Sequence, residues 1–344
     1  YVKKTYNVKI FMLNKFLISF LIIIIIFVDQ LFAKENSAAV FIYHRFGENK
    51  YPSTNIKISQ FKKHIEELTN NNYNVISVEQ IIDAFINKKN LPSKTVGLTI
   101  DDAFLSIYNN AWPLLKEKKL PFTVFVSTEP VGSGSKNYMN WNQIRELVDS
   151  GVTIGHHTKN HFHLVNKDKE TIINEIKKAN NEFLKNLGFT PDIFAYPYGE
   201  YSYEIKQITK KYFKAAFGQQ SGIIYNGIDV FELPRFSLNE QYGDLKRFKF
   251  AANSYGLQMK NILPTDRTIK NINPPLLGFT LLNNIESSIK CYSSHNINAK
   301  LTKIGEKRIE IRFDREFPKG RTRINCTTND KGKWRWTGFQ FFNP

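Results

Sequence analysis

In the stretch VGLTIDD (residues 96–102), two adjacent carboxylates, Asp101 and Asp102, end a short apolar run. About fifty residues later a second apolar run, VTIG (152–155), leads into the histidine-rich stretch HHTKNH (156–161). Short apolar runs bounded by polar residues are typical of buried strands in a parallel sheet. Carboxylates and imidazoles at two strand ends are what a hydrolytic metal site requires, because they supply ligands for the ion and one spare base. The two stretches therefore predict strands whose ends carry such a site.

Short apolar runs alternate with amphipathic stretches from Ala38 to about Phe250, which is typical of β/α units. Polar or special residues follow the ends of several predicted strands: His44, Asp101 and Asp102, His157, and Pro197 to Gly199. In parallel β/α barrels the active site is built from strand ends at one face, so these residues are expected to converge. The predicted fold class is α/β, a distorted (β/α) barrel.

Composition shifts along the chain predict four segments. They are an N-terminal extension with a signal peptide (1–33), the barrel (34–260), a proline-containing linker (261–275) and a small all-β sandwich (276–344). The sandwich is indicated by a period of two, because Ile309, Ile311 and Phe313 alternate with Glu310 and Arg312. The sequence therefore predicts a catalytic domain followed by a β domain of unknown purpose.

The N-terminal segment has the layout of a secretory signal. Several lysines precede an apolar stretch (16–28), which is followed by Leu31-Phe32-Ala33. A basic region, a short apolar region and a small residue before the cleavage point are typical of export signals. We therefore expect a periplasmic or secreted protein, cleaved after Ala33; if the segment stayed uncleaved, it would anchor the protein in the membrane.

The chain is basic, with 48 Lys and Arg against 31 Asp and Glu and a formal net charge of +17. This charge favours anionic partners such as an envelope surface. The alternative is that the lysines merely form solvated faces. The export signal argues against nucleic acid as a partner, and the sequence leaves the oligomeric state open.

Two cysteines, Cys291 and Cys326, both lie in the predicted β domain. In an exported protein an isolated pair of cysteines indicates a disulfide. The alternative is two buried free thiols.

Several other conspicuous side chains are interpreted as structural. The spacing of His156 and His163 indicates neighbours of a metal site rather than ligands, and His64, beside two lysines on a predicted helix, is expected to be solvated. Trp334 and Trp336 share one face of a predicted strand, and we expect that face to fill the core of the sandwich.

The motifs resemble those of the NodB-homology polysaccharide deacetylases, also called carbohydrate esterase family four. TIDDA (99–103) resembles the family's first motif, HTKNH (157–161) matches its His-Ser/Thr-x-x-His motif, and FAYPYG (194–199) resembles its third. The early position of YHR (43–45) is similar to the poly-N-acetylglucosamine deacetylase branch. The resemblance covers roughly residues 38–240 and implies a distorted barrel of the NodB type.

This resemblance also implies a role for each residue of the site. Asp102, His157 and His161 would bind one divalent metal ion, with zinc expected and iron, cobalt or nickel left open. Asp101 would be the general base, and His44 would protonate the departing amine. The resemblance places the backbone N–H of Tyr198, in the turn that begins at Pro197, in the oxyanion hole.

The sequence allows alternatives at two positions. The family's arginine before the third-motif proline, which orients the base, is absent, and either Arg235 or Arg45 is expected to replace it. Trp141 is interpreted as lining a sugar subsite or as capping the core.

The function implied is metal-dependent removal of N-acetyl groups from N-acetylglucosamine units of an envelope or exopolysaccharide. The missing arginine motivates one alternative, a degenerate site that binds polysaccharide without turnover. A second alternative is a metal-dependent amidohydrolase acting on small non-sugar amides.

Overall fold

A nine-stranded, mostly parallel sheet dominates the first part of residues 35–344, the range that this computed structural model describes. The predicted signal peptide (1–33) lies outside that range. In chain order, the strands up to residue 237 are β1 (Ser37–Tyr43), β2 (Arg45–Phe46), β3 (Asn55–Ile56), β4 (Asn74–Val75), β5 (Thr95–Asp101), β6 (Thr123–Val126), β7 (Thr153–His156), β8 (Ile193–Ala195), β9 (Ala215–Phe217), β10 (Ile223–Tyr225) and β11 (Phe236–Ser237). Strands β2 and β3 pair only with each other.

Helices cover the connections between these strands. They are α1 (Ile58–Asn70), α2 (Val78–Ile86), α3 (Trp112–Glu117), α4 (Thr128–Gly132), α5 (Trp141–Asp149), α6 (Lys169–Leu187), α7 (Tyr203–Thr209) and α8 (Leu245–Ala252). In α1 one apolar face, formed by Phe61, Ile65 and Leu68, is buried in the core. Within the described residues, no helix is both long enough and apolar enough to cross a bilayer.

The sheet runs in the order β10-β1-β5-β6-β7-β8-β9, with β11 beside β1 and β4 beside β5. A short segment, Leu233 to Ser237, links β9, at one end of this order, to β1 near the other end. Leu233 bridges to Phe217 of β9 in parallel, and three residues later Phe236 pairs in parallel with Phe41 of β1. The sheet therefore curls as a distorted barrel, and the predicted fold class is confirmed.

The remaining strands form two four-stranded sheets. They are β12 (Tyr255–Gly256), β13 (Met259–Leu263), β14 (Leu277–Leu281), β15 (Lys290–Ser293), β16 (Ala299–Ile304), β17 (Arg308–Phe313), β18 (Gly320–Asp330) and β19 (Lys333–Asn343). One sheet has the order β12-β19-β18-β15 and the other β13-β14-β17-β16. Apolar side chains from both, such as Phe279 and Phe339, share one buried cluster, as expected of a sandwich.

The predicted boundary at residue 260 lies among strands that pair within the sandwich sheets. Strand β13 occupies the first three residues of the predicted linker (261–275), and β12, within the predicted barrel, pairs with β19 of the sandwich. Residues Asn36–Pro344 form one compact unit. The prolines that suggested a linker lie after β13, so the division at residue 260 stays a prediction.

The two cysteines form the predicted disulfide. Cys291 of β15 lies directly opposite Cys326 of β18, and their sulfurs are bonded. Both are buried in the apolar cluster of the sandwich. The alternative of two free thiols is therefore wrong.

His64 is buried, so the expectation that it is solvated is wrong. Its Nε2 lies 2.9 Å from the carbonyl oxygen of Gly243, and its Nδ1 lies 3.1 Å from the hydroxyl of Tyr43. The ring stacks on Phe248 at 4.3 Å between centroids. Because the carbonyl can only accept, Nε2–H donates to it and Nδ1 accepts from the tyrosine, which is the neutral form. Burial lowers the pKa of His64 to about 4.

This burial predicts acid lability. The unfolded chain takes up a proton on His64 near pH 6.5, whereas the folded chain resists protonation until about pH 4. Between these values the unfolded state binds more protons, so the free energy of unfolding falls as the pH falls, by ~1.4 kcal/mol per pH unit. The free energy of unfolding, measured with urea, should fall between pH 7 and pH 5 in both proteins. The fall should be about 2 kcal/mol smaller in His64→Gln than in the unsubstituted protein. An equal loss in both proteins would contradict this assignment.

Candidate active site

The side chains that follow β1, β5, β7 and β8 meet at one face of the sheet. Tyr43, the last residue of β1, pairs in parallel with Ile100, so His44 comes beside Asp101. The backbone N–H of Asp102 donates to a carbonyl of β6, and that of His157 donates to the carbonyl of Val126 at the end of the same strand. Register and these hydrogen bonds therefore bring together residues far apart in sequence.

Asp102, His157 and His161 form the one group of three or more potential metal ligands found among the described residues, with their ligand atoms within 4.8 Å of one another. The Nε2 atoms of His157 and His161 lie 3.5 Å and 3.3 Å from Oδ1 of Asp102. Nδ1 of His157 donates to the carbonyl of Ala195 at 2.7 Å, which leaves the lone pair on Nε2. That Nε2 is buried and has no hydrogen-bond partner in the described part of the chain. A buried nitrogen lone pair that has no hydrogen-bond donor and lies near a carboxylate is suited to bind a cation.

The protonation states of these three candidate ligands also suit a cation. Burial lowers the pKa of His157 to about 3 and that of His161 to about 4, so both imidazoles are neutral at physiological pH. Burial raises the pKa of Asp102 to about 6, which still leaves the carboxylate mostly ionised at neutral pH. Two neutral imidazoles and a carboxylate are the donor set of many catalytic zinc sites.

Backbone strain is concentrated at this site. Five non-glycine residues here have left-handed φ values between 56° and 76°: Asp102, Ala103, Thr158, His161 and Tyr198. Each costs about 1–2 kcal/mol for an L-residue, so the surroundings must hold them in place. For example, Oγ1 of Thr158 accepts from the backbone N–H of His161 at 3.1 Å. Such clustering of strained residues is typical of functional sites.

Of the two arginines that the sequence offers as partners of Asp101, Arg235 makes the contact. Its NH1 and NH2 lie 2.7 Å and 2.9 Å from the two carboxylate oxygens of Asp101, and both side chains are fully buried. Burial alone would raise the pKa of Asp101, but the charge of Arg235 and the proximity of His157 outweigh it and hold the pKa below its usual value. Arg45, the other candidate, instead pairs with Glu48 at 2.6 Å.

Arg235 reaches Asp101 because it lies in the segment that connects β9 to β1. Its backbone N–H donates to the carbonyl of Gln220, and its Nε donates to the carbonyl of Gly218 at 3.0 Å. The guanidinium is therefore held by the carbonyl of Gly218 and the hydroxyl of Thr99 as well as by the carboxylate of Asp101. A planar, bidentate pair of this kind fixes the orientation of Asp101.

Of the remaining predicted site residues, Tyr198 lies beside this centre. The turn Pro197–Gly199 follows β8, and the ring of Tyr198 lies 4.5 Å from that of His161 and stacks on His163 at 3.7 Å. Trp141 opens α5, is partly buried, and meets the ring of Phe183 edge-on at 5.8 Å. This contact accounts for a core role of Trp141, and a sugar subsite there stays a prediction.

Sequence reasoning missed two acidic residues that hold the site. Glu175 accepts from the backbone N–H of Asn160 at 2.7 Å and so fixes the loop between His157 and His161, the two candidate histidine ligands. Glu200 lies 2.7 Å from Nδ1 of His163. Glu175 could have been found from the sequence, because it lies on the face of α6 that otherwise buries apolar side chains. A buried carboxylate needs a polar partner, so such a residue indicates a structural or functional contact. No comparable signal exists for Glu200.

Comparison with known proteins agrees with the motif resemblance. The family model for polysaccharide deacetylases matches residues 88–214. The chain is similar to a poly-beta-1,6-N-acetyl-D-glucosamine N-deacetylase of Staphylococcus aureus, with 25% identity over 236 residues that cover 60% of this chain and 80% of that protein. The resemblance stated from the motifs is thereby confirmed.

Solved structures support the fold. The deacetylase PplD of Streptococcus pyogenes is similar with a TM-score of 0.59 and 22% identity, covering 64% of this chain and 99% of that one. IcaB from Ammonifex degensii is similar with a TM-score of 0.56 and 24% identity, covering 63% of this chain and 97% of that one. At these identities the likeness establishes the shared barrel fold.

Proposed function

We propose that this protein is a metal-dependent hydrolase that removes N-acetyl groups from N-acetylglucosamine units of an envelope or exopolysaccharide; the match of residues 88–214 to the polysaccharide deacetylase family model supports this. The observation that carries the proposal is the juxtaposition of a three-ligand group with a separate, arginine-held aspartate. The first can bind a cation, and the second remains free to take a proton. We propose zinc as the ion, because two imidazoles and one carboxylate suit it.

Each residue of the site has a role in the proposed reaction. A divalent cation held by Asp102, His157 and His161 would supply Lewis acidity toward the acetyl carbonyl and the attacking water. Arg235 keeps Asp101 ionised and oriented. Asp101 accepts a proton from the attacking water as the oxygen of that water adds to the carbonyl carbon. The backbone N–H of Tyr198 donates to the carbonyl oxygen as it gains negative charge. His44 then donates a proton to the nitrogen while the C–N bond breaks, which releases acetate and leaves a free amine.

We further propose β-1,6-linked poly-N-acetylglucosamine as the substrate. The Staphylococcus aureus relative is named for that polymer, and the early position of His44 is similar to the same branch. An extracytoplasmic location is proposed from the predicted export signal, and the disulfide of the sandwich supports it, since such bonds persist in oxidising compartments.

The alternative of a degenerate, binding-only site has lost its motivation. That alternative arose from the missing motif arginine, and Arg235 makes the bidentate contact in its place. No contact in the described residues specifically favours a small non-sugar amide.

The proposal is tested by acetate release. Purified protein with one equivalent of zinc should release acetate from β-1,6-linked N-acetylglucosamine oligomers, and more slowly from β-1,4-linked ones. A chelator should abolish the release, and added zinc should restore it. Binding of the oligomers without acetate release under zinc, cobalt, nickel or iron would contradict the proposal and favour the binding-only alternative.

A further inference from the structure

The turn Pro197–Gly199, which carries the proposed oxyanion donor, is strained and closely packed. Tyr198 has φ 59° and ψ 5°, and Gly199 has φ 69°. A Cβ on Gly199 would lie 2.5 Å from the backbone nitrogen of Gln219, so only glycine fits there. Two consecutive left-handed residues persist only where other parts of the structure hold them.

The C-terminal sandwich supplies that support. Nε2 of Gln340, in β19, donates to the carbonyl of Gly199 at 2.8 Å and to that of Tyr198 at 3.2 Å. NH1 of Arg321, in β18, donates to the same carbonyl of Tyr198 at 3.3 Å. The side chain of Gln340 is buried, and its hydrogen bond to the carbonyl of Gly199 is shielded from water.

The orientation of the Gln340 amide is itself fixed. Arg323 lies opposite Gln340 in the β18–β19 pair, and its Nε donates to Oε1 of Gln340 at 3.0 Å. A guanidinium only donates, so the oxygen of the amide must face Arg323 and the nitrogen must face the turn. Burial lowers the pKa of Arg323 to about 10, which leaves it protonated at neutral pH.

We propose that Gln340 and Arg321 are positioning residues for the deacetylation, and that the sandwich is attached to the barrel partly to hold the oxyanion turn. This inference rests on the proposed function of Tyr198. By fixing the direction of the Tyr198 carbonyl, the two side chains fix the ψ angle of Tyr198. The N–H of Tyr198 belongs to the preceding peptide plane, so this support acts on it indirectly: while the left-handed conformation of Tyr198 is held, the residue cannot relax and turn its N–H away.

The test variant is Gln340→Glu. It keeps the side-chain volume and the acceptor for Arg323, but a carboxylate cannot donate to the two carbonyls. Loss of an entire oxyanion donor lowers kcat by about 10²–10³-fold, so partial displacement should lower kcat by about 10–100-fold while KM and zinc content stay within twofold. Asn325→Asp is the matched control, because it makes the same amide-to-carboxylate change in β18 and keeps the acceptor for the Trp336 indole; its kcat should stay within twofold.

Hydrogen exchange provides a second readout that does not depend on turnover. Amides of residues 196–201 should exchange at least tenfold faster in Gln340→Glu than in Asn325→Asp, while exchange elsewhere in the barrel is unchanged. Arg321→Ala, at a side chain that is 37% exposed, should show a smaller increase in exchange and a several-fold lower kcat; it decides the question if Gln340→Glu does not fold.

These readouts distinguish failure of the proposed function from failure of the positioning role of Gln340 and Arg321. An unsubstituted protein that releases no acetate contradicts the proposed function, and the exchange comparison then decides the positioning claim alone. Unchanged kcat together with unchanged exchange in the folded variants would overturn the inference. The inference would also be overturned if the variants lost activity only by unfolding. In that case stability would fall uniformly, and kcat per folded molecule would stay constant.

Discussion

Replacing Asp101 by asparagine is expected to lower kcat for acetate release by about 10³-fold, within the 10²–10⁴ range of general-base catalysis. Asparagine fills the same space but cannot take a proton from water. The reduction should appear in kcat more than in KM, since Asp101 is assigned to the chemical step. The measurement is steady-state acetate release from an N-acetylglucosamine oligomer, at saturating zinc.

The same variant should also be less stable, which makes a control necessary. Arg235 is fully buried and would face an uncharged partner. Breaking a buried ion pair by removing one charge costs about 3–5 kcal/mol. Assays must therefore be run where urea unfolding shows the variant to be folded, and zinc content must equal that of the unsubstituted protein. A folded, zinc-loaded Asp101→Asn protein with kcat within tenfold of the original would contradict the assignment of the base.

Replacing His161 by alanine is expected to weaken zinc binding by more than about 100-fold. Changing a residue that merely orients a ligand already costs about 10–100-fold, and His161 is one of the three proposed ligands themselves. The side chain is 21% exposed, so its loss should disturb the fold less than loss of the buried His157. Competition with a chromogenic chelator gives the zinc affinity directly.

His163→Gln is the matched control for zinc binding. His163 lies two residues further along the same loop, but its Nδ1 is engaged by Glu200 and its side chain is 44% exposed. This variant should keep zinc affinity within threefold. Equal zinc loss in both variants would mean that the loop, rather than a particular imidazole, is responsible.

The centre of the site could be predicted because its information is local. Asp101, Asp102 and His157 each follow an apolar run, and parallel strands bring their carboxyl ends to one face. A regular period and a motif spacing are readable without knowing the path of the chain. The same applies to the cysteine pair, because an isolated pair in a protein with an export signal indicates a disulfide without knowledge of the fold.

Arg235 could be nominated but not chosen from sequence. It lies more than a hundred residues from Asp101, and only the course of residues 233–237 between β9 and β1 brings the two together. Arg45 is much closer in sequence, yet the structure pairs it with Glu48 and places its guanidinium over the ring of Phe104. Which of two arginines reaches a carboxylate is decided by tertiary structure.

The tryptophans of β19 show where alternation misleads. We expected Trp334 and Trp336 to fill the sandwich core, but Trp334 is 42% exposed and Arg335 between them is buried. The guanidinium of Arg335 binds Asp330 and the carbonyl of Gly256, which offsets its desolvation. A period of two identifies two faces of a strand, but partners supplied by other strands decide which face is buried.

The central claim is that one cation is bound by Asp102, His157 and His161, and X-ray absorption at the zinc edge tests it most directly. The account predicts one zinc per chain, with a first shell of nitrogen and oxygen at about 2.0–2.1 Å and the outer-shell scattering of two imidazoles. In His161→Ala, measured at excess zinc, the outer-shell scattering should decrease to that expected of one coordinated imidazole. A spectrum without imidazole scattering, or one unchanged by the substitution, would contradict the account.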